Sequence, residues 1–96
     1  MNKKLLLISY DLCKPERDYE SLIGKIRSTF PTYNHVLKSV WLVETDYEYD
    51  QARDILKNHI DKDDKLLVVE LTGLAAWTNL DQSCSKWLSD VFNKYL

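Results

Sequence analysis

The chain of 96 residues holds only two glycines, two prolines, two cysteines and one methionine. So little glycine and proline leaves few places for tight turns, which favours regular helices and strands joined by short polar links. It also excludes collagen-like and low-complexity chains. Cys13 and Cys84 lie far apart and in no Cys-x-x-Cys or Cys/His spacing. A disulfide scaffold and a structural zinc site are therefore excluded, and reduced thiols in the cytoplasm are expected. No apolar run approaches the roughly 18 residues of a membrane span. The stretch Leu5–Ile8 is too short for the core of a signal peptide, and Asp11 follows it closely. A basic excess is missing as well: 13 Lys and Arg stand against 15 Asp and Glu, for a net charge of −2. Contact with RNA or DNA would then rest on local patches. There is no Gly-rich phosphate loop and no His-Glu-x-x-His, so nucleotide hydrolysis and zinc proteolysis find no support.

What the chain does have is apolar and aromatic weight: 45% hydrophobic residues, with three Trp, six Tyr and two Phe. That is an ordinary globular mixture for one domain spanning residues 1–96, with a core at about 4–73 and a final helix at about 81–95. A chain this short buries a smaller share of its surface than a long one, and a homodimer is expected to cover the remainder.

Lys4–Tyr10 is short, nearly all apolar and bounded by charge, as a central strand buried on both faces requires. Lys14–Asp18 reads as a turn feeding a helix, with Pro15 tolerated in the first turn. Tyr19, Leu22, Ile23, Ile26 and Phe30 then form one helical stripe, which Phe30-Pro31 ends. Val36–Thr45 is rich in β-branched and aromatic residues; as a plain strand it puts Leu37, Ser39, Trp41 and Val43 on one face, and at ten residues it is long enough to bend near Ser39 into two. Asp46–Asp50 is an acidic helix start, followed by the stripe Tyr49, Ala52, Ile55, Leu56 and Ile60. Lys65–Leu71 reads as a strand that Gly73 breaks. Asp81 suits the cap of a last helix whose stripe is Cys84, Trp87, Leu88, Val91, Phe92 and Tyr95. The order β-α-β(β)-α-β predicts an α/β sandwich of ferredoxin-like type, an antiparallel sheet with helices on one face, plus a C-terminal amphipathic helix. That last stripe is too large to leave in water, so the helix is expected to pack on its own domain or on a second subunit. A protein partner docking on it is the other reading.

Asp11 is the most informative candidate residue. A carboxylate at the C-terminal end of a buried strand lies at the rim of the sheet, where α/β folds place sites. It suits two roles: capping the following turn, or holding a divalent metal through hard oxygen. A two-fold dimer would bring two copies of a residue on its axis together. Lys14, Arg17, Lys25 and Arg27 are positioned to meet phosphate or simply to form a solvated face. The acidic set Glu44, Asp46, Glu48, Asp50 and Asp54 reads first as a solvated helix end, and His35 and His59 as surface or half-buried histidines.

Three blocks together resemble a known family. Leu-Leu-Ile-Ser-Tyr-Asp-Leu at 6–12 is similar to the first-strand signature of the CRISPR-associated Cas-two proteins. Lys38-Ser39-Val40-Trp41 resembles their central Gln-x-Ser-Val-Phe element. Ile60-Asp61-Lys62-Asp63-Asp64-Lys65-Leu66 resembles their approach to the last core strand. The blocks come in the family's order and cover about residues 4–72. The resemblance implies a ferredoxin-like fold, a two-fold homodimer and, in some members, a magnesium-dependent nuclease or endoribonuclease. Asp11 then corresponds to the metal-holding aspartate, Tyr10 to its neighbour and Ser39 to the second-strand serine, with Lys14 and Arg17 steering nucleic acid. Other members bind DNA without needing that activity. The VapD endoribonucleases of toxin–antitoxin systems share the early aspartate. A group of small SinR-like proteins looks similar through Tyr-Asp-Leu, Ser-x-Trp, Leu-Thr-Gly-x-Ala-Ala and a Trp-Leu-bearing last helix. Against the pattern, the basic run after the aspartate is thin, the chain is net acidic, and Leu74–Trp77 with a helix replaces the family's last short strand.

Overall fold

The apolar run after Lys4 pairs on both sides and becomes an interior strand. In the structure, a computed structural model describing residues 3–13 and 19–95, that strand is β1 (Lys4–Asp11). After it come α1 (Tyr19–Thr29), β2 (Thr32–Leu37), β3 (Val40–Thr45), α2 (Tyr49–Leu56) with a 3-10 turn at Lys57–His59, β4 (Lys65–Leu71) and α3 (Gln82–Tyr95). The four strands form one antiparallel sheet in the order β2-β3-β1-β4. β3 thus lies between β1 and the parallel β2, and β1 lies between β3 and the parallel β4. Each β-α-β unit is split by a strand of the other.

Alternation along the strands gives the sheet two apolar faces. On the first, Leu6, Ile8 and Tyr10 of β1 and Trp41 and Val43 of β3 pack beneath Leu22 and Ile26 of α1, Phe30, and Ala52 and Leu56 of α2. On the second, Leu5 and Leu42 pack against Cys84, Leu88 and Val91 of α3, with Trp87 and Phe92 partly buried beside them. The C-terminal helix therefore lies on its own domain. Its start is fixed as expected: the Asp81 carboxylate accepts the Cys84 backbone N–H at 2.7 Å. No described helix is long and apolar enough to cross a membrane.

Three local expectations are corrected. Val36–Thr45 divides near Ser39 into two strands, as its length allowed, and the plain-strand alternative falls: Lys38 and Ser39 form a hairpin turn, so Ser39 does not share a face with Trp41 and Val43. Its first arm begins at Thr32, and an irregularity between His35 and Leu37 shifts the register. Glu44 does not belong to a solvated helix end. It lies at the end of β3, only 5% exposed, with the Lys94 ammonium of α3 at 3.4 Å. The acidic helix start is real but begins later, where the Glu48 backbone N–H donates to the Gln51 side-chain oxygen at 2.9 Å.

Candidate functional site

Because β1 is an inner strand, its last residues are delivered to the rim in a fixed pose. Tyr10 is buried on the first face, and its hydroxyl accepts the Trp41 indole N–H at 3.1 Å. Its backbone N–H donates to the Ser39 carbonyl at 3.2 Å. Thus the hairpin turn is tied to the end of β1 through the backbone of Tyr10. As successive strand residues, Tyr10 and Asp11 present their side chains to opposite faces of the sheet. Asp11 is exposed and pairs across the strands with Lys65. The two lie beside a shallow depression of about 220 Å³ lined also by Ser9, Leu66 and Leu67.

The loop entering β4 is clamped against this rim. The Asp64 carboxylate accepts the backbone N–H of Cys13 at 2.8 Å and that of Asp61 at 2.8 Å. The Cys13 thiol donates to the Asp63 carbonyl at 2.8 Å. Asp64 is therefore a positioning residue that sequence reasoning passed over. The available signal was an aspartate three residues after another in a polar turn, the spacing at which a carboxylate reaches back to a backbone N–H.

Among the described residues the Asp11 carboxylate has no hydrogen-bond or ion-pair partner, and no group of three or more His, Cys, Asp or Glu converges to hold a metal. Asp11 offers hard oxygen of the kind magnesium takes. One chain supplies one such carboxylate here, and the remaining ligands would have to be water, phosphate oxygens or a second copy. Lys14 and Arg17 lie outside the described residues. The His35 ring stacks on Trp41 at 4.1 Å and its Nε2 donates to the Lys38 carbonyl. The His59 Nδ1 faces the Ser21 hydroxyl at 3.0 Å. The Arg27 guanidinium lies 5.7 Å from the Trp41 ring, so this cation is engaged with the first face. The acidic residues of α2 stay dispersed, and Asp54 is held below the usual carboxylate range by its hydrogen bond from Arg53, with Lys57 adding.

A larger concavity lies on the second face, away from the rim. It has about 430 Å³ of space between the sheet, residues 73–80 and α3, and its walls include Leu7, Leu42, Leu71, Trp77, Leu88 and Phe92. Periodicity could not have found it, because its walls come from all four strands, residues 73–80 and α3. Compared with protein-family models, with curated proteins and with solved structures, the chain matches none of them.

Proposed function

We propose that the protein is a ferredoxin-like domain of the Cas-two/VapD type that acts as a homodimer on RNA or DNA, as a magnesium-dependent endoribonuclease or nuclease, with Asp11 as the metal ligand. The observation that carries this reading is the exposed Asp11 at the end of the inner strand β1, beside Tyr10, whose backbone N–H is bonded to the Ser39 carbonyl. The split arrangement of two β-α-β units, with β1 and β3 inside, supports the ferredoxin-like assignment. Magnesium, when bound, supplies charge for a phosphodiester and a water of lowered pKa. The chain's part is to hold Asp11 at the end of an inner strand, with Lys65 as its cross-strand neighbour and a cation for a phosphate oxygen. Lys14 and Arg17 belong to the same proposed nucleic-acid contact. The test is cleavage of labelled RNA and DNA by the pure protein with magnesium or EDTA, beside Asp11→Ala. Metal-dependent cleavage lost in the variant supports the reading, and cleavage unchanged by either EDTA or the substitution overturns it.

A second reading is a catalytically silent dimeric module, binding nucleic acid or protein, related to CRISPR or toxin–antitoxin systems. It is favoured by the exposed apolar residues of the second face, Leu67 at 57% and Leu74 at 87%. The inner stripe of α3 is engaged with its own sheet, so a protein partner would meet the helix on its outer side or at this apolar margin.

A further inference from the structure

A packed protein interior leaves few voids larger than a water molecule. The second face instead carries a concavity open to solvent, of about 430 Å³, within the roughly 300–1,000 Å³ range of small-molecule pockets. Its lining contains no Asp, Glu, Lys, Arg or His. Asp11 and Lys65 stand on the same face but beyond Ser9, outside the cavity. A charged group seated against this lining would find no side-chain partner, so the lining favours a neutral ligand.

One wall of this chamber is held lightly. Residues 73–80 belong to no helix or strand, and among the described residues none of them makes a backbone–backbone hydrogen bond. The strap is attached through side chains: the Trp77 indole N–H donates to the Ser85 hydroxyl at 3.1 Å, its ring stacks on Phe92 at 6.5 Å, and Leu80 packs against the second-face cluster. Near its C-terminal end, Asn79 is in the left-handed region at φ 63°. Leu74 borders the cavity yet stands 87% exposed, an apolar side chain whose packing is incomplete. The strap's backbone groups supply hydrogen-bond donors and acceptors at the mouth.

We propose that this cavity is a binding site for a neutral small molecule with a flat aromatic body. The body lies between the leucines of the sheet and α3, beside the Trp77–Phe92 pair, and one polar end meets the strap backbone. Binding brings Leu74 down over the ligand and closes the strap. The two aromatic rings select a flat ligand through offset stacking, and the charge-free lining selects a neutral one. This inference goes beyond the nucleic-acid reading and is independent of it.

The test uses the full-length protein, with neither nucleic acid nor magnesium, and the neutral probe N-phenyl-1-naphthylamine, whose emission rises in apolar surroundings. We expect saturable binding of one probe per chain in the micromolar range, with tryptophan emission quenched as the probe fills. The sulfonated analogue 1-anilinonaphthalene-8-sulfonate should bind at least about tenfold more weakly, since its charge has no partner inside. Leu7→Trp fills the cavity from the sheet side and should weaken the neutral probe at least tenfold. Because added bulk can disturb a core, Leu74→Ser serves as a second variant: its exposed position leaves folding intact, and it should weaken the probe several-fold. Circular dichroism and melting of both variants accompany the measurement. Absence of saturable binding overturns the proposal. So does equal affinity for the sulfonated analogue, affinity unchanged in both folded variants, or one probe per two chains with the cavity covered by a second copy. Failure here leaves the Asp11 cleavage assay untouched, and failure there leaves this site standing.

Discussion

The two faces of the sheet are built from the same strands and the same kinds of side chain, yet they end differently. The first is sealed by two helices, and Trp41, Ile8 and Leu22 are fully buried there. The second is covered by one helix at one end and a strap at the other, and it leaves Leu67, Val69 and Leu74 in water. The difference follows from connectivity. α1 and α2 are crossover helices, each carrying the chain between two strands of the sheet, so both ends of each are anchored to it. α3 is tied at its start by Asp81 and along its length by Leu88, Val91 and the Glu44–Lys94 pair. An α/β sheet can thus have one face that stabilises the fold and another that remains available.

Substitutions that weigh one face against the other test this contrast. Trp41→Ala should have the largest effect, about 3–5 kcal/mol. It empties the centre of the first face and removes the donor to the Tyr10 hydroxyl and the platform for His35. Urea denaturation measures it, and a loss under about 1 kcal/mol would erase the distinction between the faces. Leu88→Ala on α3 should cost less, about 2–3 kcal/mol, because its surroundings already border a cavity. That corresponds to a fall in melting temperature on the order of 10 °C or more.

The thiols give a smaller and finer comparison. Burial against the second face, with the Asp81 carboxylate nearby, pushes the Cys84 thiol above its ordinary value of 9.0. A raised folded pKa means that the unfolded chain loses this proton first. Stability is therefore full below about pH 9 and declines as pH rises through the folded value. Cys84→Ala should flatten that alkaline decline. A thiol reagent should titrate exposed Cys13 at once and Cys84 only after denaturant is added. Smallest of all, Leu67→Ser should change stability by no more than about 0.5 kcal/mol, since the side chain is already 57% exposed. Sedimentation of the same variant sharpens the picture: a wild-type dimer that becomes a monomer would identify the open face as the subunit contact.

Much of the fold was legible because burial leaves a periodic trace. Leu22, Ile26 and Phe30 announced α1 by helical spacing, and the unbroken apolar run of β1 announced an inner strand. Asp81 was readable as a cap because capping is local chemistry. β2 left a weaker trace: Thr32, Asn34 and Val36 alternate with Tyr33 and His35, but its apolar content is thin, and His35 is held by stacking on Trp41 rather than by ordinary burial. Glu44 was misread because its partner, Lys94, lies in a distant helix. Of the candidate site, the place of Asp11 at a strand end was legible. The clamp by Asp64 and the cavity were not, since both depend on segments brought together only by the tertiary fold.

The central place of β1 also sets the order in which the chain can assemble. Its partners are β3 and β4, and Asp11 pairs with Lys65. At roughly 5–20 residues per second of synthesis, on the order of 50 intervening residues delay that second partner by about 3–10 s. The β2–β3 hairpin, closed by only two residues at Lys38 and Ser39, forms locally in the meantime and offers β1 its first edge. Until β4 emerges, the other edge of β1 stands open with Leu6 and Ile8 beside it, and α3 has no finished surface to land on. In chain order, then, β1 meets its β3 edge before its β4 edge, and the strand most enclosed in the finished sheet is the one whose pairing is completed last.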